Sequence, residues 1–188
     1  MVHVRNMVRD DLLALALDIG TDDPAVVEAV AAALAELADD DYGASQVIVC
    51  TCSTISGVAE SLDRSVVRID RPMARTAVAT GECIVVLMAV YSTLRPTQAL
   101  FEEEAASAAP SAEIEYRLVE GAWPFFEAED TAGYLNAIAE CGGSLDVGVD
   151  TTVLAQASMA AAGPLMTHRA RVLTSPVAAF AEELSRLT

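Results

Sequence analysis

The sequence contains no lysine: all eleven of its basic side chains are arginine. That absence excludes whole classes of chemistry. A pyridoxal-phosphate enzyme needs a lysine for its Schiff base, and a nucleotide-binding P-loop needs the lysine of its motif. Histidine is scarce too, with only His3 and His168, far apart in the chain. No G-x-G-x-x-G occurs, so a dinucleotide fingerprint is missing. Cys50 and Cys52 form a C-x-C with no second pair, which is a poor zinc motif. No metal or other cofactor is expected; the chemistry left is that of thiol, carboxylate, hydroxyl and backbone groups.

Positive charge is also in short supply. The formal net charge is −17, which argues against nucleic acid and anionic membranes as partners, because there is no basic patch to release counterions. The acids gather at Asp22-Asp23, Asp39-Asp40-Asp41 and Glu102-Glu103-Glu104, and these read as solvated helix ends and faces. No apolar run reaches the roughly 18 residues that span a bilayer. Met1 to Arg9 is not followed by an apolar segment and cleavage site, so no secretory signal is expected. A cytoplasmic location with reduced thiols follows as the expectation. An anionic substrate would have to be held by local N–H groups, since the protein repels it at long range.

What the chain does have is apolar residues, 53% of 188, enough for one large domain or two small lobes. The most informative stretch is VIVCTCSTISGVAE, Val47 to Glu60. A β-branched run ends in Cys52, Ser53 and Thr54, then a small-residue segment with helical character follows. This predicts a buried strand delivering a thiol and two hydroxyls to a helix N-terminus, a setting that suits a small anion or a reactive cysteine. The same residues also read as a buried cysteine with an ordinary Ser/Thr cap, and local sequence favours that plainer reading.

The stretch has an echo. At an offset of 104 residues, VIVCTCSTI lies over TTVLAQASM, Thr151 to Met159, without a gap. Cys52 falls on Gln156, Ser53 on Ala157 and Thr54 on Ser158. Upstream, Val30, Ala31, Leu34 and Leu37 fall on Tyr134, Leu135, Ile138 and Cys141, at helical spacing. Two copies of helix, strand, hydroxyl-rich turn and helix predict two similar α/β lobes.

Along the chain, strands are expected at Val2–Arg5, Val47–Thr51, Val66–Ile69, Cys83–Val90, Glu113–Val119, Thr151–Ala155 and Arg171–Leu173. Helices are expected at Asp10–Asp18, Pro24–Asp39, Thr54–Leu62, Pro72–Ala79, Pro96–Ala108, Thr131–Cys141, Ser158–Ala162 and Pro176–Leu187. Alternation of strand and helix predicts parallel sheets, with ligands at the carboxyl ends of the strands. Cys52-Ser53-Thr54, Ser92-Thr93, Ser158 and Thr174-Ser175 all fall at such ends. Each hydroxyl taken singly reads as a cap; together they point to a site.

The segments VIVCTCSTISGVAE, RIDRPMARTAVATGECIVVLMAVYSTLRPT, TTVLAQASMA and VLTSPVAAF resemble the aspartate/glutamate/hydantoin racemase superfamily over nearly the whole chain. The resemblance implies two α/β lobes with parallel sheets related by a pseudo-two-fold axis, a site between them and no cofactor. It implies one cysteine from each lobe on opposite sides of the substrate. Cys52 matches the first-lobe cysteine, Ser53 and Thr54 the residues that bind the substrate carboxylate, and Ser92 and Thr93 a second hydroxyl pair facing the ligand. Ser158 joins them in holding the anionic end. The second-lobe cysteine is replaced by Gln156, which cannot transfer a proton at a useful pKa and is expected among the substrate-binding residues instead. Cys50, Cys83 and Cys141 fall elsewhere and read as small buried hydrophobes.

Met1 to Arg5 looks like the family's second strand, so the first lobe reads as shortened. The expected division is residues 1–81 plus 174–188 for the first lobe and 82–173 for the second. The expected function is a cofactor-independent racemase or isomerase using cysteine acid/base chemistry on a small anionic or hydantoin-like substrate. The alternatives are a single-cysteine decarboxylase and a non-catalytic carboxylate-binding protein. A homo-oligomer, dimer or higher, is the expected assembly.

Overall fold

The computed structural model describes residues 4–38, 47–63, 65–108, 112–167, 169–176 and 179. Helix α1 (Asp10–Ile19) leads into α2 (Pro24–Ala38). Asp23 caps α2 by accepting a 2.9 Å bond from the Ala25 N–H, and Pro24 supplies the preset φ of a first helical residue. Then come β1 (Ile48–Cys50), α3 (Ser56–Leu62), β2 (Val66–Arg68) and α4 (Arg71–Thr80). They are followed by β3 (Cys83–Met88), α5 (Leu94–Ala108), β4 (Glu113–Leu118) and α6 (Ala122–Glu127). Last are α7 (Thr131–Gly143), β5 (Thr151–Leu154) and β6 (Arg171–Thr174). Among the described residues no helix is long and apolar enough to cross a membrane.

All strand pairs are parallel. One sheet has two strands, β1-β2; the other has four, in the order β4-β3-β5-β6. β3 and β5 are buried along almost their whole length, as apolar central strands of a parallel sheet should be. Alternation along β3 builds two cores. Val85 and Leu87 face Tyr134 and Ile138 of α7 and Leu154. Ile84, Val86 and Met88 face α4 and α5, with Met73, Ala77, Leu100 and Phe101. A third core joins α1, α2, α3 and β2 through Leu12, Val26, Val30, Ala59 and Val66.

The repeat holds in the order of the elements. Shifted by 104, α2 overlies α7, and the pair β1-β2 overlies β5-β6. β1 and β5 lie in separate sheets. This is an α/β fold of two similar units, with two strands in the first sheet and four in the second among the described residues. Helix α4 sits on the first-lobe side of the expected 81/82 division, yet it packs against the four-stranded sheet. Thr174 likewise completes β6 of that sheet.

Several expectations need correction. Val4 and Arg5 are irregular rather than strand, with Val4 78% exposed; residues 1–3 lie outside the described part. α5 opens at Leu94 and carries Pro96 in its first turn, where a missing N–H costs nothing. Ser158–Ala162 is part of a 3₁₀ segment, Ala157–Leu165, containing Pro164, which cannot donate to an α-helical ladder. α6 was not expected; it starts after Gly121, whose φ of +76 only glycine adopts readily. His3, His168, Asp39–Asp41 and most of the expected closing helix lie outside the described residues.

Candidate functional site

The carboxyl ends of β1, β3 and β5 meet at the candidate site, and hydrogen bonds between distant segments hold them there. Ser53, buried, donates to the Ala155 carbonyl at 2.9 Å, linking the ends of β1 and β5. Thr54, also buried, lies 3.5 Å from the Ser92 hydroxyl, linking the ends of β1 and β3. Neither hydroxyl caps α3: that helix begins at Ser56 and has no side-chain cap. The plainer reading of Ser53 and Thr54 as helix caps is thereby corrected.

Cys52 is half-buried. Its neighbour Ser53 and the neighbour of Gln156, Ala155, share the hydrogen bond that joins the two strand ends. Its carbonyl accepts from the Ser56 N–H at 2.9 Å and lies 3.9 Å from the Cys50 sulfur. Cys50 is not a second acid: burial pushes its thiol up to about 11, outweighing the bond to the Cys52 carbonyl. Burial likewise raises the Cys141 thiol. Cys83 and Cys141 are half-buried and pack against the α7 core.

Gln156 is occupied. Its Oε1 accepts the Ala89 N–H at 2.7 Å, and the residue is only 9% exposed. It latches the end of β5 to the residue just beyond β3. Thr93 is similarly engaged, donating to the Val90 carbonyl at 2.7 Å. Ser158 is exposed and bonds at 2.9 Å to the Tyr134 hydroxyl, whose pKa is raised by burial despite that bond. Ser175 is buried with an unpartnered hydroxyl, as are Ser56, Thr97 and Thr152. Among the described residues no group of three His, Cys, Asp or Glu is placed to hold a metal.

Sequence reasoning missed a buried ion pair beside the site. Arg68, at the end of β2, donates Nε and Nη2 to Asp70 at 3.0 Å each, with side chains only 4% and 2% exposed. Arg68 is the parallel partner of Cys50, and its Nη2 reaches the Pro96 carbonyl at 3.4 Å. A Cβ on Gly57 would lie 3.2 Å from Arg68 Nη1, so the guanidinium ties β2 closely to α3 and to the first turn of α5. The signal was in the sequence: two opposite charges flank Ile69 in an otherwise apolar strand end.

No protein-family model and no curated protein matches the chain. Solved structures do. A glutamate racemase isoform from Bacillus anthracis superposes with a TM-score of 0.63 at 16% identity, over 87% of this chain and 66% of that one. Aspartate racemase from Picrophilus torridus gives 0.65 at 14%, over 94% and 74%. Allantoin racemase from Pseudomonas fluorescens gives 0.59 at 20%, over 85% and 69%. The chain has the fold of the aspartate/glutamate/hydantoin racemases. Arylmalonate decarboxylase has it too, with a TM-score of 0.54 at 12% identity. This chain spans about two thirds of the length of the glutamate racemases it resembles.

Proposed function

We propose that this racemase-fold protein is a cofactor-independent enzyme that moves a proton at one face of a carbon next to a carboxylate, or in a hydantoin-like ring. Cys52 is the acid/base. Of the hydroxyl pair Thr54 and Ser92, one donates to the other and the second is left to donate to the anionic end of the substrate. Ser53 and Thr93, whose hydrogens already go to backbone carbonyls, position the strand ends around the substrate, and Ser158 lines the second-lobe side.

The observation that carries this reading is Gln156. The residue that stands opposite Cys52 in the repeat is tied to a backbone N–H and has no proton of useful acidity. Inversion of a stereocentre needs removal on one face and delivery on the other. One thiol supports only half of that: proton exchange, isomerisation, or decarboxylation. In decarboxylation the C–C bond to the leaving carboxylate breaks, carbon dioxide departs, and the carbanion takes the Cys52 proton. The thiolate is then reprotonated from water.

The test is solvent-deuterium incorporation and carbon dioxide release with a library of amino acids, hydantoins and substituted malonates. Wild type should incorporate deuterium faster than it inverts configuration, and Cys52→Ser should lose both by about 100- to 10,000-fold. Turnover untouched by Cys52→Ser would place the chemistry elsewhere. Saturable binding of a dicarboxylate with no turnover would favour a carboxylate-binding protein.

A further inference from the structure

Beside the candidate site, and sharing only Ser158 with it, the described residues line an open groove of about 550 Å³. It lies between α1 and the α6–α7 corner. Three aromatic rings and three carboxylates line it: Trp123, Phe126 and Tyr134 with Asp10, Glu127 and Glu129.

The aromatic wall follows from local structure. In α6, Trp123 and Phe126 are three residues apart and so share a face. Their rings stack with centroids 4.8 Å apart and planes 18° from parallel. Phe126 in turn meets Tyr134 of α7 at 5.3 Å. Gly133 permits this corner, because a Cβ there would come within 2.6 Å of the Phe125 ring. The Tyr134 ring is buried, and its hydroxyl bonds to Ser158 at 2.9 Å.

The charges then set the ligand class. Among the described residues none of the three carboxylates forms an ion pair, and no arginine lines the groove. The whole chain carries −17, so an anion is repelled from this opening. Aromatic faces carry partial negative charge and attract cations, more strongly where water is displaced. The volume is that of an ordinary small-ligand pocket. We propose that this groove is a binding site for a small organic cation, an ammonium group carried on an apolar body. The apolar part packs on the Trp123–Phe126 stack, and the ammonium lies against the rings and the carboxylates of Asp10, Glu127 and Glu129.

Trp123 is the single tryptophan, so its emission reports directly on the groove. The probe is benzyltrimethylammonium chloride, titrated at constant ionic strength balanced with sodium chloride, beside neutral benzyl alcohol and anionic benzoate. The ammonium should produce a saturable change, with affinity about tenfold above that of the alcohol, and benzoate none. Phe126→Leu, and Glu127→Gln combined with Glu129→Gln, should each weaken ammonium binding about tenfold while leaving the far-UV spectrum unchanged. Cys52→Ser should bind like wild type. Equal affinity for alcohol and ammonium would reduce the site to an apolar pocket and overturn the proposal. So would binding indifferent to both Phe126→Leu and the double Gln variant, or binding lost in Cys52→Ser.

Discussion

Replacing Gln156 separates its structural part from the proton-transfer role that the proposed mechanism denies it. Its amide oxygen is the acceptor of the Ala89 N–H, and Ala89 is 2% exposed. Gln156→Leu keeps much of the volume but leaves that N–H buried and unpaired, which costs about 1–3 kcal/mol. For a chain of this size each kcal/mol moves the midpoint by about 2–4 °C, so the variant should melt about 2–12 °C lower. Gln156→Glu retains an acceptor at the same reach and should lose less. Gln156→Cys is too short to reach Ala89 and should lose as much as Leu. It would also put a thiol at the position that aligns with Cys52 in the repeat, so on the proposed mechanism inversion should rise toward the rate of deuterium exchange even as stability falls. Thermal unfolding, amide exchange at Ala89 and chiral chromatography measure the three effects on the same samples. A Leu variant melting within about 1 °C of wild type, with the Ala89 amide still protected, would refute the latch.

At pH 8, a Cys50 thiol at about 11 is thiolate in only about one molecule in a thousand. Limiting iodoacetamide with peptide mapping should therefore find Cys52 labelled well before Cys50; the reverse order would contradict the site. Arg71 of α4 binds Glu60 of α3 and Glu103 and Glu104 of α5, at 2.5, 3.0 and 2.6 Å, and its pKa is raised chiefly by Glu60. Arg71→Met strips the mostly buried Glu104 of its main partner and should destabilise by about 1–3 kcal/mol in urea unfolding; no change would mean the three-helix clasp is decorative. Arg71→Lys should recover only part, since an ammonium cannot fork. Asp150 ties the starts of β3 and β5 by accepting from the Glu82 and Cys83 N–H groups and the Thr151 hydroxyl. Desolvation works against it, but those bonds hold its carboxyl below the ordinary 3.8. Its contribution is thus complete above the ordinary value and fades as pH falls through the lowered one. The stability gap between wild type and Asp150→Asn, held to about 0.5 kcal/mol above pH 5 by solvent screening of this exposed carboxylate, should shrink toward pH 2; a gap that widens on acidification would be the wrong sign.

Elements driven by local signals were legible. The apolar runs at Cys83–Met88 and Thr151–Leu154 made buried strands, and Asp23 with Pro24 marked the start of α2. Composition and the offset of 104 residues pointed to two related α/β units, because a repeated pattern of burial is written in residue type and spacing. α6 escaped because AWPFFE is a single short turn whose start depends on the left-handed Gly121, with no capping residue to announce it.

The sequence by itself determined the class of fold, the strand that leads to Cys52, and the glutamine that aligns with that cysteine in the repeat. Those are properties of residue identity and period. Only the tertiary structure decided where the polar side chains went. Ser53 reaches a carbonyl 102 residues away, Gln156 an N–H 67 residues away, and Arg68 a carboxylate that could as well have faced water. A hydroxyl or amide is satisfied by whichever complementary group packing brings within about 3 Å, and nothing in its own neighbourhood specifies which one that will be. The aromatic groove arises in the same way, from rings on two helices that meet only when the α6–α7 corner closes at Gly133.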